Sequence, residues 1–160
     1  MKYLLILFLL SSCSYKRVNI TEISINNYKV FYNNIIYTGK IYDYYENGDI
    51  KSYQNYRKGI LNGVSKYYYK NGNTQAILNY LNGELLGETK LYNEKGILLQ
   101  SAEYKDNILN GEYKYYYEDG TLWKKAFFKD GELKDWYIIY NKDKSINHYK
   151  NVEKEINFNE

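Results

Sequence analysis

Side chains suited to covalent or acid–base chemistry are scarce in this 160-residue chain, which has one Cys (Cys13), one His (His148), one Met and no Pro. A zinc site of Cys and His ligands, an HExxH helix and a CxxC pair each need two or more such residues at close spacing, so all three are excluded. A lone Cys also excludes an internal disulfide. Asp43, Glu46 and Asp49 surround Gly48 somewhat as in a calcium loop, but the roughly 12-residue ligand spacing and the bidentate Glu are missing. The group reads as a solvated hairpin tip. Glu118-Asp119 are two carboxylates side by side, whereas glycoside hydrolysis needs two facing each other across a cleft. No Gly is followed by Lys and Ser/Thr in P-loop order. His148 beside Tyr149 reads as a surface or interface residue. The expectation is a protein that is not an enzyme, with no catalytic residue, no metal and no cofactor.

What the chain holds in quantity is tyrosine: 23 Tyr with 5 Phe and 2 Trp, 19% of all residues. Tyr joins a rigid apolar ring to a polar tip, which suits recognition of a protein or a glycan. The net charge is +3, from 22 Lys and Arg against 19 Asp and Glu. The charges are interspersed and the pI is about 8.6, so a nucleic-acid partner is not expected. Hydrophobic residues at 44% and charged residues at 26% fit one globular domain.

The N-terminus reads as an address. Met1-Lys2 is a short positive start, Tyr3 to Leu10 is an apolar run, and Ser11-Ser12-Cys13 follows at once. The run is too short to cross a bilayer, which takes about 20 apolar residues, so residues 1–12 are read as a signal peptide. Leu10-Ser11-Ser12-Cys13 resembles the bacterial lipobox. By that resemblance Cys13 is lipidated and becomes the first mature residue, and two or more acyl chains suffice for stable attachment. The expected location is the cell envelope, lipid-anchored to a membrane. Ser14 after the Cys favours the outer membrane over the inner.

The remainder is a repeat. Gly39, Gly63, Gly87 and Gly111 are spaced by 24, as are Gly48, Gly72, Gly96 and Gly120; Gly59, Gly83 and Gly131 form a third series whose gap is filled by Asn107. Five residues after the first Gly stand Tyr44, Tyr68, Tyr92, Tyr116 and, after Asp135 in the Gly position, Tyr140. A second column holds Tyr56, Tyr80, Tyr104 and Phe128, and a third Leu61, Leu85, Leu109 and Leu133. A fixed period of this length signals stacked supersecondary units. The division is a linker over 13–27, a half unit over 28–38, and units 39–62, 63–86, 87–110 and 111–134. A degenerate unit over 135–150 and a tail over 151–160 complete it.

Each unit predicts β-structure. Asn47-Gly48, Asn71-Gly72 and Asp119-Gly120 suit two-residue hairpin turns with both residues at positive φ, as do Asn82-Gly83 and Asp130-Gly131. Segments such as Thr74 to Tyr80 alternate partly between the two faces of a strand. The Leu and constant Tyr positions are seven apart, on opposite faces of a regular strand; a bulge at the intervening Gly is expected to bring them together. Helices are excluded, because Gly recurs too often in their interiors.

Gly63 to Gly72 (GVSKYYYKNG) with Tyr80 to Gly87 (YLNGELLG), and Gly111 to Gly120 (GEYKYYYEDG) with Phe128 to Lys134, resemble the MORN-repeat family, most closely its bacterial variant. The resemblance spans about residues 28 to 150. It implies an all-β fold, a single elongated antiparallel β-meander of stacked hairpins with a row of aromatics along one face. Many bacterial members are labelled antitoxins of toxin–antitoxin pairs, and eukaryotic relatives are described as lipid-binding or scaffold modules.

With no helix to pack against, the Tyr44, Tyr68, Tyr92, Tyr116, Tyr140 column and the Tyr56, Tyr80, Tyr104, Phe128 column are expected to form the core together. Strand parity then turns the neighbouring Tyr67, Tyr69, Tyr113, Tyr115 and Tyr117 toward a partner as the candidate binding surface. The expected function is a non-enzymatic envelope lipoprotein whose array binds a protein, as a scaffold or adhesion-related module. The alternative is an antitoxin or immunity protein acting on a toxin at the envelope. Glycan recognition is compatible with the same side chains, without a feature that selects it.

Overall fold

The computed structural model describes residues 17–151. The signal peptide, Cys13 and residues 152–160 of the tail lie outside them. From Gly39 onward the chain is a meander of repeating parts: an outgoing strand, a first turn, a return strand, a second turn, and a short strand leading into the next unit. The first unit is β5 (Gly39–Tyr44), β6 (Ile50–Arg57) and β7 (Ile60–Leu61), and the second is β8 (Gly63–Tyr68), β9 (Thr74–Leu81) and β10 (Glu84–Leu85). β11 (Gly87–Tyr92) and β12 (Leu98–Lys105) follow. The short strand then merges with the next outgoing one, giving β13 (Ile108–Tyr116), β14 (Leu122–Lys129), β15 (Glu132–Tyr140) and β16 (Ile146–Asn151). Neighbours in sequence are neighbours in space throughout this antiparallel sheet. No α-helix occurs among the described residues.

The two kinds of turn differ. In the second turns both central residues have positive φ, at 51° and 78° for Lys58-Gly59, 51° and 91° for Asn82-Gly83, and 52° and 83° for Asp130-Gly131. Asp106-Asn107 does the same at 52° and 66°, Asn being one of the few side chains that accept this region. The first turns correct the expectation. Gly48 is at +88° but Asn47 is not at positive φ; Tyr45 N–H donates to Asp49 O at 2.8 Å and Gly48 N–H to Tyr45 O at 2.9 Å. This is a longer loop closed by a single left-handed Gly. The Asn or Asp before the Gly acts through its side chain, with Asn47, Asn71 and Asp119 Oδ1 accepting from the backbone N–H two residues on.

The junction between units explains which side chains share a face. Tyr56 pairs with Leu61, but farther along the same strand Tyr53 pairs with Lys66, so two extra residues are absorbed around Gly63. Gly63 sits at φ +100° and Gly111 at +128° at these bulges. An even number of extra residues preserves parity. The Gly therefore does not bring the Leu and constant Tyr columns together, as was expected. Leu61 and Tyr56 lie on one face, here the front, with Gln54, Tyr67 and Tyr80, while Tyr68 lies on the back with Tyr53.

The fully buried positions are small. Ser65, Ala102 and Ala126 are 0% exposed, and Ile41, Ser52, Ala76 and Thr89 are also buried. They stand mid-strand on the front, where larger neighbours lean over them. All fourteen aromatics of the expected core and expected binding set are half-buried. A division into buried core and exposed surface does not occur, because the two columns stand on opposite faces of one sheet layer.

At the N-terminal end, residues read as linker already form structure. β1 (Val18–Asn19) pairs in parallel with β5, followed by a 3-10 turn over Ile20–Glu22 that Asn19 caps. A small sheet follows, β2 (Ile23–Asn26), β3 (Lys29–Tyr32) and β4 (Ile35–Ile36). The half unit is one residue out of the 24-residue register: Asn33-Asn34 make its turn, and an extra residue is taken up at Tyr37-Thr38 before Gly39. Backbone bonds from Val30 N–H to Gly59 O and from Gly59 N–H to Tyr37 O join this cap to the first unit.

Candidate binding faces

The front face is aromatic and polar together. Gln54 Nε2 donates to Tyr67 Oη at 2.6 Å, and Tyr56 Oη donates to Gln54 Oε1 at 2.8 Å. Tyr67 pairs across the strand with Ala76, which places Tyr80 on the same face four residues on. Small residues beneath let these rings converge, and Ser65 Oγ at the floor is buried without a hydrogen-bond partner. Burial, followed by the nearby Tyr67 and Tyr80 phenols, raises the pKa of Tyr56; burial and Tyr67 raise that of Tyr80. Both phenols therefore stay neutral at physiological pH; Tyr56, whose O–H goes to Gln54, keeps an acceptor for a ligand, and Tyr80 keeps a donor and an acceptor. Farther along, Tyr113 packs edge-on against Phe128 at 5.9 Å, and its pKa is raised by burial, then by Tyr115 and Tyr104.

The back face carries the constant Tyr column among charges. Tyr42 stacks on Tyr44 at 6.3 Å and meets Tyr53 at 6.1 Å, with Lys40 Nζ 4.7 Å from the Tyr53 ring centre. Lys66, Lys90 and Lys114 recur at the 24-residue spacing. Glu88 holds Lys90 at 2.8 Å, and Glu112 holds Lys114 at 2.5 Å and Lys125 at 2.6 Å. Val64 stands where those carboxylates would be for Lys66. The back is thus cationic at its start and self-neutralised toward its end.

The five tyrosines expected to recognise a partner have different fates. Tyr67 belongs to the front cluster. Tyr69 Oη donates to Tyr92 O at 2.7 Å and Tyr117 Oη to Tyr140 O at 3.0 Å. Tyr45 does the same to Tyr68 O at 2.6 Å, so this position fastens each unit to the next. Asn93 occupies it once; its Oδ1 accepts from the Lys95 and Ile97 N–H groups, and its Nδ2 reaches Glu118 O of the next unit at 3.5 Å. Tyr115 and Tyr117 flank Trp123 at 5.5 and 5.9 Å. Tyr113 and Tyr115 are on the front, alternating along β13. Gln54 and Trp123 were not singled out in the sequence; both stand on a return strand, Gln54 between Tyr67 of the neighbouring strand and Tyr56 of its own, Trp123 beside Tyr115 and Tyr117.

Concavities gather at the first-turn edge, where Tyr44, Tyr45, Glu46, Asn47, Lys51 and Lys70 line a cleft of about 470 Å³. Lys51 is committed to Asp43 at 2.8 Å, and that ion pair raises the lysine pKa. No group of three or more His, Cys, Asp or Glu able to hold a metal occurs among the described residues.

Stacked hairpins, half-buried faces and unit-to-unit bonds define an open β-repeat array. Residues 37–58, 61–82, 85–106 and 109–130, more than half of the chain, match the family model described as MORN repeat variant. The chain belongs to that family. Comparison with curated proteins gave no match. The matched segments stop before the last hairpin, β15–β16, which nevertheless continues the sheet.

Proposed function

We propose that the array is a non-enzymatic protein-binding scaffold, held at the cell envelope by lipid on Cys13, and that its front face takes the partner. The observation that carries this reading is the Gln54, Tyr56, Tyr67, Tyr80 cluster. It offers half-buried rings and neutral phenols on a flat support, with small residues below that hold the rings in place. Rigid aromatic anchors beside adaptable amide groups are what protein recognition selects. The Tyr69 and Tyr117 hydroxyls, being tied to backbone, contribute to the platform and not to its chemistry.

The experiment is capture from the native envelope with the full chain and two paired variants. Tyr67→Ala with Tyr80→Ala on the front should abolish partner capture, while Tyr44→Ala with Tyr92→Ala on the back should retain it, each with circular dichroism unchanged. Loss in the back pair alone would move the site to the other face. A toxin in the captured fraction would define the role as neutralisation, and an envelope component would define it as scaffolding or adhesion.

A further inference from the structure

We propose that the N-terminal hairpin β2–β3 is a second membrane contact, whose tip residue Tyr28 and adjoining Ile25 enter the interfacial layer of an anionic bilayer. Tyr28 is 99% exposed and sits at φ +60°, a region that bulky L-residues avoid. The same position of the other two-residue turns holds Asn34, Gly59, Gly83, Asn107 or Gly131, residues that accept it readily. Here a Gly would relax the backbone, yet the chain presents an aromatic ring to solvent. An outlier of this kind points to use of the side chain.

Apolar residues accompany it. Ile25 is 71% exposed next to the tip, across from the buried Val30; Ile35, equally exposed, is on the same face at the other end of β3, where it pairs with Tyr32. Charge selects lipid as the occupant. Lys29 adjoins the tip, and the second turn carrying Lys58 packs directly against β3, where a Cβ on Gly59 would come within 2.9 Å of Lys29 Cβ. A carboxylate of this cap, Glu22, is engaged by Asn19 N–H at 3.0 Å and by Tyr32 Oη at 3.4 Å. Tyr at the headgroup level beside basic side chains is the composition that anionic interfaces retain. The site lies outside the matched repeats. It rests on the lipid-anchor reading only for proximity: Arg17 is the fourth residue after Cys13, a reach of at most about 14 Å. The lipid would set the distance from the bilayer and the hairpin the orientation of the array.

The test uses the full chain in vesicles of phosphatidylethanolamine and phosphatidylglycerol, with Tyr28→Trp compared with the parent. Trp123 and Trp136 supply the parent emission. The variant should gain a blue-shifted component that brominated acyl chains quench, while the parent emission is not quenched. Lys29→Glu, or phosphatidylcholine in place of phosphatidylglycerol, should reduce that quenching. An added emission that stays unquenched on vesicle-bound protein overturns the proposal. So does sedimentation that rises with concentration without vesicles and is abolished by Tyr28→Asp, since the hairpin would then bind a second copy. The mass of the Cys13 peptide is read separately: a lipid-free Cys13 removes the anchor reading, and flotation with quenching still decides the hairpin.

Discussion

Tyr69→Phe removes one oxygen from the hydrogen bond that runs from Tyr69 Oη to Tyr92 O at 2.7 Å, and leaves the ring in place. The bond crosses from one unit to the next and is partly shielded from water. Its net worth is about 1 kcal/mol, because the unfolded chain satisfies both groups with water. For a chain of this size that is a fall in Tm of about 2–4 °C. In urea, with a slope of about 2 to 3 kcal/mol/M, the midpoint should drop by roughly 0.3–0.5 M. Tyr68→Phe is the matched control: the adjacent phenol donates to no protein atom among the described residues, and its loss should change stability by less than about 0.3 kcal/mol. Tyr45→Phe with Tyr117→Phe touches two separate junctions, so their costs should add to about 2 kcal/mol. Equal melting of the Tyr69→Phe and Tyr68→Phe proteins would refute the account, since ring burial alone would then explain the column.

Gly111→Ala should melt well below Gly48→Ala, although both sites are left-handed. A Cβ at Gly111 would lie 2.8 Å from Glu103 Cβ, whereas nothing stands within 4 Å of one at Gly48; parallel thermal melts decide it. Hydrogen bonds from Lys114 and then Lys125 hold the Glu112 carboxyl below its ordinary pKa, so its contribution is present above about pH 4.3 and fades as pH falls through the lower folded value. Glu112→Gln should therefore lower Tm at neutral pH by an amount equivalent to less than about 1 kcal/mol, the pair being a third exposed, and the two curves should converge in acid. Cys13→Ala should abolish palmitate labelling and leave an unprocessed precursor or a released protein; unchanged labelling would remove the anchor reading.

The period of 24, the strands and the meander were legible because turn glycines punctuate every unit. The second turns followed from Asn82-Gly83 and Asp130-Gly131, since two positive φ values leave few residue choices. Faces were not legible. Parity depends on whether a bulge absorbs one residue or two, and Gly63 permits either; the structure takes two. The tightest positions were hidden for a related reason, because Ser65 and Ala102 are small polar or neutral residues that composition does not mark as core. The Tyr69 to Tyr92 bond left a trace in the spacing of 23, which becomes meaningful once strand order is known. The first part of the N-terminal cap, up to residue 27, was read as linker because β1 and β2 carry no repeat signal, and β1 joins the sheet in parallel through only two residue pairs.

Strand order that simply follows chain order has a consequence for how such a protein changes over generations. Duplicating or deleting any 24-residue block keeps both turn edges, both faces and the Tyr-to-carbonyl fastening in phase. One block adds two strands, or roughly 9.5 Å of sheet width at the usual strand spacing. The last hairpin shows the tolerance of this scheme. Lys144 takes the left-handed turn position at φ +69° that glycine fills elsewhere, and the sheet continues regardless. Width is therefore a heritable dimension that can vary in whole steps, as on a ruler, without any new packing problem being solved.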